Sequence, residues 1–197
     1  MKIRHFLSIS IAVGTLSAAP FAMAGRGDYE SPNYKVVKSD EAFELRDYPA
    51  MIVATASMKS EGGNRNSAFM GLFRYISGGN EAEQKIAMTT PVITTTENGS
   101  SAMSFVVPAE VAKAGAPNAN NPDIKVAERS AGRFAVYRYS GRWTEANESA
   151  AREKLEGWLK MQGLKTEGSM EKASYDPPFT LPALRRNEVM VRVAIAR

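Results

Sequence analysis

Hydrophobic and polar positions alternate along most of this 197-residue chain, and the period of the alternation changes at two places. Residues 34–38 (YKVVK) and Phe43–Tyr48 (FELRDY) predict a first pair of strands, and Met51–Met58 puts Ile52, Ala54, Ala56 and Met58 on one face. Over residues 66–77 the period lengthens. Phe69, Leu72, Phe73 and Ile76 fall at i, i+3, i+4 and i+7, one apolar stripe of a short helix that Gly78 and Gly79 stop. Residues 85–96, KIAMTTPVITTT, read as a strand interrupted at Pro91, which cannot donate to a ladder and confines the strand to an edge or a bulge.

Met103, Phe105 and Val107 continue at period two. Residues 108–122, full of Ala, Asn, Gly and Pro, predict an exposed excursion with little structure. Strands resume at 124–129 and 133–140. A second amphipathic helix carries Ala151, Leu155, Trp158 and Leu159, with Thr144 or Asn147 as its N-cap, Lys160 in its last turn and Gly163 as its stop. Residues 166–175 and 187–196 finish the chain as strands, the last with Val189, Val191, Val193 and Ile195 on one buried face.

These elements recur. A shift of 83 residues lays Val53 on Val136, Leu72 on Leu155, Tyr75 on Trp158 and Ile76 on Leu159. Two copies of a strand-strand-helix-strand unit predict a pseudo-twofold α+β fold: a curved antiparallel sheet or open barrel flanked by two helices.

The first 24 residues stand outside that pattern. Lys2, Arg4 and His5 precede an apolar run from Phe6 to about Ala19, and Ala22-Met23-Ala24 supplies a small-x-small cleavage pattern. This is the layout of a secretory signal peptide, the alternative being an uncleaved anchor; the apolar run is short and wrongly flanked for a stable span. Residues 25–33 read as a flexible leader and 34–197 as the folded domain. The expectation is an exported chain, periplasmic in a Gram-negative bacterium and secreted otherwise, with no stable membrane insertion once the signal is removed.

Removing the signal also removes chemistry. His5 is the one histidine, and the chain has no cysteine. A Ser-His-Asp or Cys-His site, a thiolate nucleophile and an imidazole-bearing zinc site are therefore excluded from the mature chain, and its core must hold without disulfides. Roughly 170 residues suffice, since a domain of that size buries about 70% of its unfolded surface. Of the net charge of +4, Lys2 and Arg4 supply two, and the other cations are scattered among acids. No phosphate-tracking stripe is present, so no nucleic-acid partner is expected. With no heptad pattern, a monomer is expected.

Carboxylate chemistry survives on composition. Glu44 with Asp47, or Glu145 with Glu148, are conceivable acid and base pairs, though solvated residues on a strand edge and a helix start explain them as well. No acids cluster at the loop spacing of an oxygen-only metal site. What rises above background is apolar. The first helix carries Phe69, Met70, Phe73 and Tyr75 and ends with the cation Arg74, and Met88 follows on the next predicted strand. Methionine and aromatic side chains suit a surface that accepts a flat or variable apolar ligand; ordinary core is the competing reading. In YDPPFTLPALRRNEVMV, residues 175–191, three prolines prevent regular pairing beside Phe179, Leu181 and Leu184, and Arg185-Arg186 precede the final strand. Such a loop can close over a planar body while its guanidinium groups meet carboxylates, or simply pack on itself.

Three of these segments resemble the signature segments of the SOUL haem-binding protein family: RYISGGN at 74–80, KIAMTTPV at 85–92 and YDPPFTLPALRRNEV at 175–189. Their order and spacing agree too, and the resemblance runs from about Tyr34 to the C-terminus. It implies a distorted antiparallel β-barrel of about eight strands with two flanking α-helices and pseudo-twofold symmetry, shared with effector-binding domains of the GyrI type. It further implies reversible binding of haem or another tetrapyrrole against the first helix, beneath the YDPP loop, by a non-enzymatic carrier or scavenger. Carried over by motif position, Phe69 and Phe73 form the apolar wall, Met88 the floor, and Arg74 meets a propionate. Tyr175, Phe179, Thr180, Arg185 and Arg186 belong to the closing segment, the two arginines as further propionate partners. Some relatives have been thought to use a histidine ligand, which this mature chain lacks. That leaves the iron without a protein ligand, or held by Tyr75, Tyr175 or a methionine. An effector-binding module for amphipathic small molecules without haem is the alternative function; a carboxylate-based hydrolase or an activity removing iron from the porphyrin is the enzymatic one.

Overall fold

The computed structural model of the protein describes residues 29–58 and 65–195; the expected signal segment, residues 25–28 of the leader, Ala196 and Arg197 lie outside the described residues. The elements run β1 (Lys35–Asp40), β2 (Phe43–Tyr48), β3 (Met51–Met58), α1 (Arg65–Ile76), β4 (Val92–Glu97), β5 (Ser100–Val106) and α2 (Ala109–Ala114). They continue with β6 (Ile124–Arg129), β7 (Gly132–Tyr139), α3 (Glu145–Gln162), β8 (Thr166–Ser174) and β9 (Asn187–Val193). All nine strands form one antiparallel sheet in the order β1-β2-β7-β9-β8-β4-β5-β3-β6. The α+β antiparallel fold expected from the sequence is present, with nine strands rather than about eight and with β1 and β6 as open edges.

With β1 set aside, the sheet order reads alike from both ends: β2-β7-β9-β8 is matched by β6-β3-β5-β4. Each repeat is thus strand-strand-helix-strand-strand, and its first strand pairs inside the other repeat, β2 on β7 and β6 on β3. α1 covers one half of the sheet, packing Ala68, Leu72, Tyr75 and Ile76 on Ala54, Ala56, Met103 and Phe105. α3 covers the other half with Ala151, Leu155, Trp158 and Leu159 on Leu45, Ala135 and Val189, Val191 and Val193 of β9. The opposite face is buried as well, by Tyr48, Phe134, Val136, Ala173 and Met190 in one cluster and Val53, Ile93 and Val106 in another. A sheet that encloses core on both faces in this way is curled, as in a barrel left open along one seam.

Thr144 is the N-cap of α3, accepting a hydrogen bond from Asn147 N at 3.3 Å, and Gly163 ends it in the left-handed region at φ 63°. Three expectations need correction. The excursion at 108–122 contains α2, because AEVAKA is a run of good helix formers whose flanking Pro and Gly dominate the sequence signal. KIAMTTPVITTT forms a strand only from Val92 onward; residues 85–91 are irregular, held by Ile86 N donating to Ile76 O at 2.8 Å and Thr89 Oγ1 to Val106 O at 2.6 Å. Ile195 lies beyond the end of β9 and is 58% exposed, so it does not extend the face of Val189, Val191 and Val193.

Candidate functional site

A cavity of about 500 Å³ opens between α1 and the sheet at the β4–β8 seam, where the two repeats meet. Helical spacing supplies one wall. The core face of α1 uses positions 68, 72, 75 and 76, and the adjoining face presents Phe69 and Phe73, whose rings stack 6.3 Å apart. Phe69 also meets Phe105 edge to face at 5.4 Å, whereas Phe73 is 45% exposed. The predicted stripe of Phe69, Leu72, Phe73 and Ile76 therefore merged two neighbouring faces, one for the core and one for the cavity.

The segments flanking the helix are held by their own hydrogen bonds. Asn80 is fully buried, its Nδ2 donating to Tyr75 O at 2.9 Å and Gln84 O at 2.7 Å while its Oδ1 accepts from Ala82 N and Gln84 N. A Cβ on Gly79 would stand 2.8 Å from Arg74 O, so the turn after α1 requires glycine there. This clamped turn delivers Met88 and Thr90 to the cavity. Pro91 faces the other way, into the inner core beside Tyr48, Met51 and Met190.

β4 and β5 supply the floor with Val92, Thr94 and Met103, and β8 adds Lys172 and Ser174. Tyr175, Asp176, Pro177 and Pro178 close one side together with Trp143 from the β7–α3 connection. Of the residues expected to form the site, Phe69, Phe73, Met88 and Tyr175 thus converge. Arg74, Phe179, Arg185 and Arg186 do not line the cavity. Arg74 is on the exposed surface of α1, and Phe179 is 85% exposed. Arg185 folds its own loop, donating from Nε to Thr180 O at 2.8 Å and from Nη2 to Pro178 O, and it lies over the ring of Trp143.

Arg186 belongs to a charge network on the inner face. Its Nε and Nη2 donate to Glu188 Oε1 at 2.9 and 2.7 Å, and its guanidinium lies 3.9 Å from the centre of the Tyr175 ring. Arg46 grips the same carboxylate bidentately at 2.8 and 3.0 Å, and Tyr175 donates its hydroxyl at 2.8 Å. Glu188 is fully buried. Burial alone would raise its carboxyl, but the hydrogen bonds and charges of Arg46 and Arg186 hold it below the usual range. Burial, reinforced by Glu188, pushes the Tyr175 phenol well above its ordinary value, so it stays a proton donor and is a poor ligand for iron. Tyr75 is turned into the core, donating to Pro117 O at 3.0 Å. The remaining soft or phenolic donors at the cavity are Met88, Met103 and Tyr29.

Sequence reasoning missed Arg65, Trp143 and Lys172, all of which line the cavity. Lys172 is buried, and its Nζ donates to Glu148 Oε2 at 3.1 Å. Its ammonium is held below the usual lysine range by burial and by the charge of Arg65, which Glu148 only partly offsets. Glu148 also accepts from Arg152 Nε and Nη2, so it is neither the solvated residue nor the free acid and base partner of Glu145 that the sequence suggested. Glu44 and Asp47 are likewise engaged, with Arg46 and Arg133 respectively. Among the described residues no cluster of three or more His, Cys, Asp and Glu is placed to hold a metal, and no helix is long and apolar enough to cross a membrane.

The fold is similar to that of the EcmrR C-terminal domain, at 13% identity over 83% of this chain and 99% of that one, with a TM-score of 0.59. An uncharacterized conserved protein from Listeria innocua is similar at 11% identity over 79% and 93%, TM-score 0.54. A protein of the same bacterium described as a hydrolase follows at 12% identity over 80% and 94%, TM-score 0.52. Likeness at these identities shows a shared fold. No curated protein sequence matches the chain. The sequence profile of the SOUL heme-binding protein family matches residues 29–192, and the chain belongs to that family.

Proposed function

We propose that this protein binds a flat, largely apolar ligand in the α1 cavity, with haem or an iron-free tetrapyrrole as the best match, and that it acts as an exported carrier or scavenger rather than as an enzyme. The observation that carries this reading is the wall of Phe69 and Phe73 facing Met88, Val92 and Met103 across about 500 Å³, a volume in the range of small-molecule sites. Membership of a family described as haem-binding supports the same ligand class. The signal-like first 24 residues support export.

The donor set suits the macrocycle better than its metal. Apolar and aromatic walls match a porphyrin face, whereas the cavity offers thioethers and two phenols, one of them, Tyr175, committed to Glu188, and neither imidazole nor thiolate. When bound, haem brings the redox and gas-binding chemistry of its iron; the part of this chain is to hold the ring at Phe69, Phe73 and Met88 and to keep water from it. Such a site favours loose, reversible carriage. It also favours a second reading, an effector-binding module that accepts amphipathic aromatic compounds without iron, because nothing in the donor set requires the metal.

Titration of the purified protein with haemin, and separately with iron-free protoporphyrin, tests the proposal through the absorption of the bound porphyrin. Saturable one-to-one binding of both is expected, weakened roughly tenfold by Phe73→Ala, since an aromatic side chain contributes on the order of 1.5–3 kcal/mol when buried. Phe73 is half exposed, so this change should leave folding intact. No saturation with either porphyrin overturns the proposal; saturation by uncharged aromatic compounds in preference to both selects the effector-binding reading.

A further inference from the structure

Charge is distributed unevenly around the cavity. Phe69 and Phe73 lie one and two turns along α1 from Arg65, the first residue of the helix, and Arg65 lines the cavity beside Lys172 of β8. Lys172 is 5% exposed and stands opposite Thr94 in the β4–β8 register, at the seam between the repeats. Arg152 from α3 is close enough to act on it electrostatically, as is Arg65. Two cations, Arg65 and Lys172, therefore line this end of the cavity, and the carboxylate that pairs with Lys172 at 3.1 Å, Glu148, stands outside the lining and is already engaged by Arg152 at 3.2 and 2.9 Å. Arg65 has no ion pair among the described residues. The acid that does line the cavity, Asp176, lies past Ser174, where its Oδ2 accepts the backbone N–H of Arg186 at 2.6 Å.

Lys172, buried beside apolar walls with only a carboxylate that it shares with Arg152, is short of the counter-charge that burial demands, while Arg65 is exposed at the start of α1. The depressed lysine ammonium is consistent with that deficit, because Glu148 does not make up for burial and Arg65. The three arginines that the sequence offered for a ligand's carboxylates lie outside the lining, and Arg185 and Arg186 are committed to Thr180 and Glu188.

We infer that Lys172, with Arg65, anchors a carboxylate of the ligand, so that the site selects flat apolar acids over neutral or cationic compounds of the same shape and sets their acid end toward β8. This rests on the ligand site proposed above and assigns it a chemical class and an orientation. Lys172 is then a residue of specificity, and Glu148 a competitor for the ammonium that the incoming carboxylate must outbid.

Protoporphyrin and its dimethyl ester, titrated by fluorescence into the purified protein and two variants, test the anchor. Lys172→Met keeps the length of the side chain and leaves Glu148 its two bonds from Arg152. It should weaken the diacid roughly tenfold or more, the scale of a charge-assisted hydrogen bond, and leave the ester unchanged. Glu148→Gln removes the competing charge and should tighten the diacid while sparing the ester, a change of sign that loss of folding cannot imitate. Equal effects of Lys172→Met on acid and ester, or none on either, overturn the anchor and leave the ligand site standing. Binding of neither porphyrin by the unaltered protein overturns the ligand site itself, and the anchor with it.

Discussion

Ala68, Leu72, Tyr75 and Ile76 on α1 stand 83 positions before Ala151, Leu155, Trp158 and Leu159 on α3, and every one of the eight is buried against the sheet. The positions beside them diverge. Where α1 has Phe69 and Phe73, α3 has Arg152 and Glu156. Arg152 ties its helix to β8 by donating to Met170 O at 3.1 Å as well as to Glu148, while Phe43 stacks on Trp158 with ring centres 5.3 Å apart. Ion pairs and stacked rings fill the α3 side; on the α1 side Phe69 meets only the edge of Phe105 and Phe73 is 45% exposed, and a cavity stands beside them. The repeated core positions maintain the scaffold, and a binding site arises from a few positions next to them, in one copy only.

The strongest test concerns what joins the copies. Glu188 of the second repeat and Arg46 of the first form a buried pair, with Arg186 on the same carboxylate. Glu188→Ala leaves the buried Arg46 with Glu44 alone and the half-buried Arg186 without its carboxylate, and should cost about 3–5 kcal/mol in denaturant unfolding. A loss below about 1 kcal/mol would mean that packing alone unites the halves. The acid limb carries the same information. The carboxyl of Glu188 is held below its ordinary 4.5, so its contribution to stability is complete above pH 4.5 and disappears as pH falls through the lower folded-state value. A Glu188→Gln variant should show a correspondingly flatter acid limb.

Equivalence of the cores is tested next. Leu72→Ala and Leu155→Ala remove matched, fully buried side chains, and each should destabilise by roughly 2–5 kcal/mol, with similar midpoints in urea. If one variant unfolds like the unaltered protein, the two helix faces are not equivalent. The smallest change sharpens the contrast between cavity and filled groove. Phe69→Arg gives α1 the α3 side chain and should reduce porphyrin affinity at least roughly tenfold. At Glu156, the exposed α3 counterpart of Phe73, substitution by Ala should alter stability by no more than about 0.5 kcal/mol and binding not at all.

Much of this architecture is legible in the chain. Met51–Met58 and Ile124–Arg129 have the limits that their alternation gives, and the four core positions of α3 follow from helical spacing because charged residues separate them cleanly. α1 is harder: apolar residues occupy both its core and its cavity face, and periodicity counts them together. Nothing in the sequence singles out Glu188 and Arg46, because the two partners are 142 residues apart and their pairing is set only by the β2–β7–β9 order. Lys172 is hidden for a related reason. Nothing in EKAS marks the lysine as buried until Thr94 is placed opposite and α1 lies above. Trp143, a lone ring in a connection, carries no period at all.

The exchange of β2 and β6 gives one chain the anatomy of a strand-swapped dimer. Neither repeat can complete its four-strand half from its own sequence: β7 needs β2 from the first repeat, and β3 needs β6 from the second. A backbone cut in the connection between α2 and β6 therefore yields two pieces, each holding the strand that the other lacks, so the halves are obligate complements and not autonomous folding units. The ligand cavity, at the seam of β4 and β8, exists only once both are present.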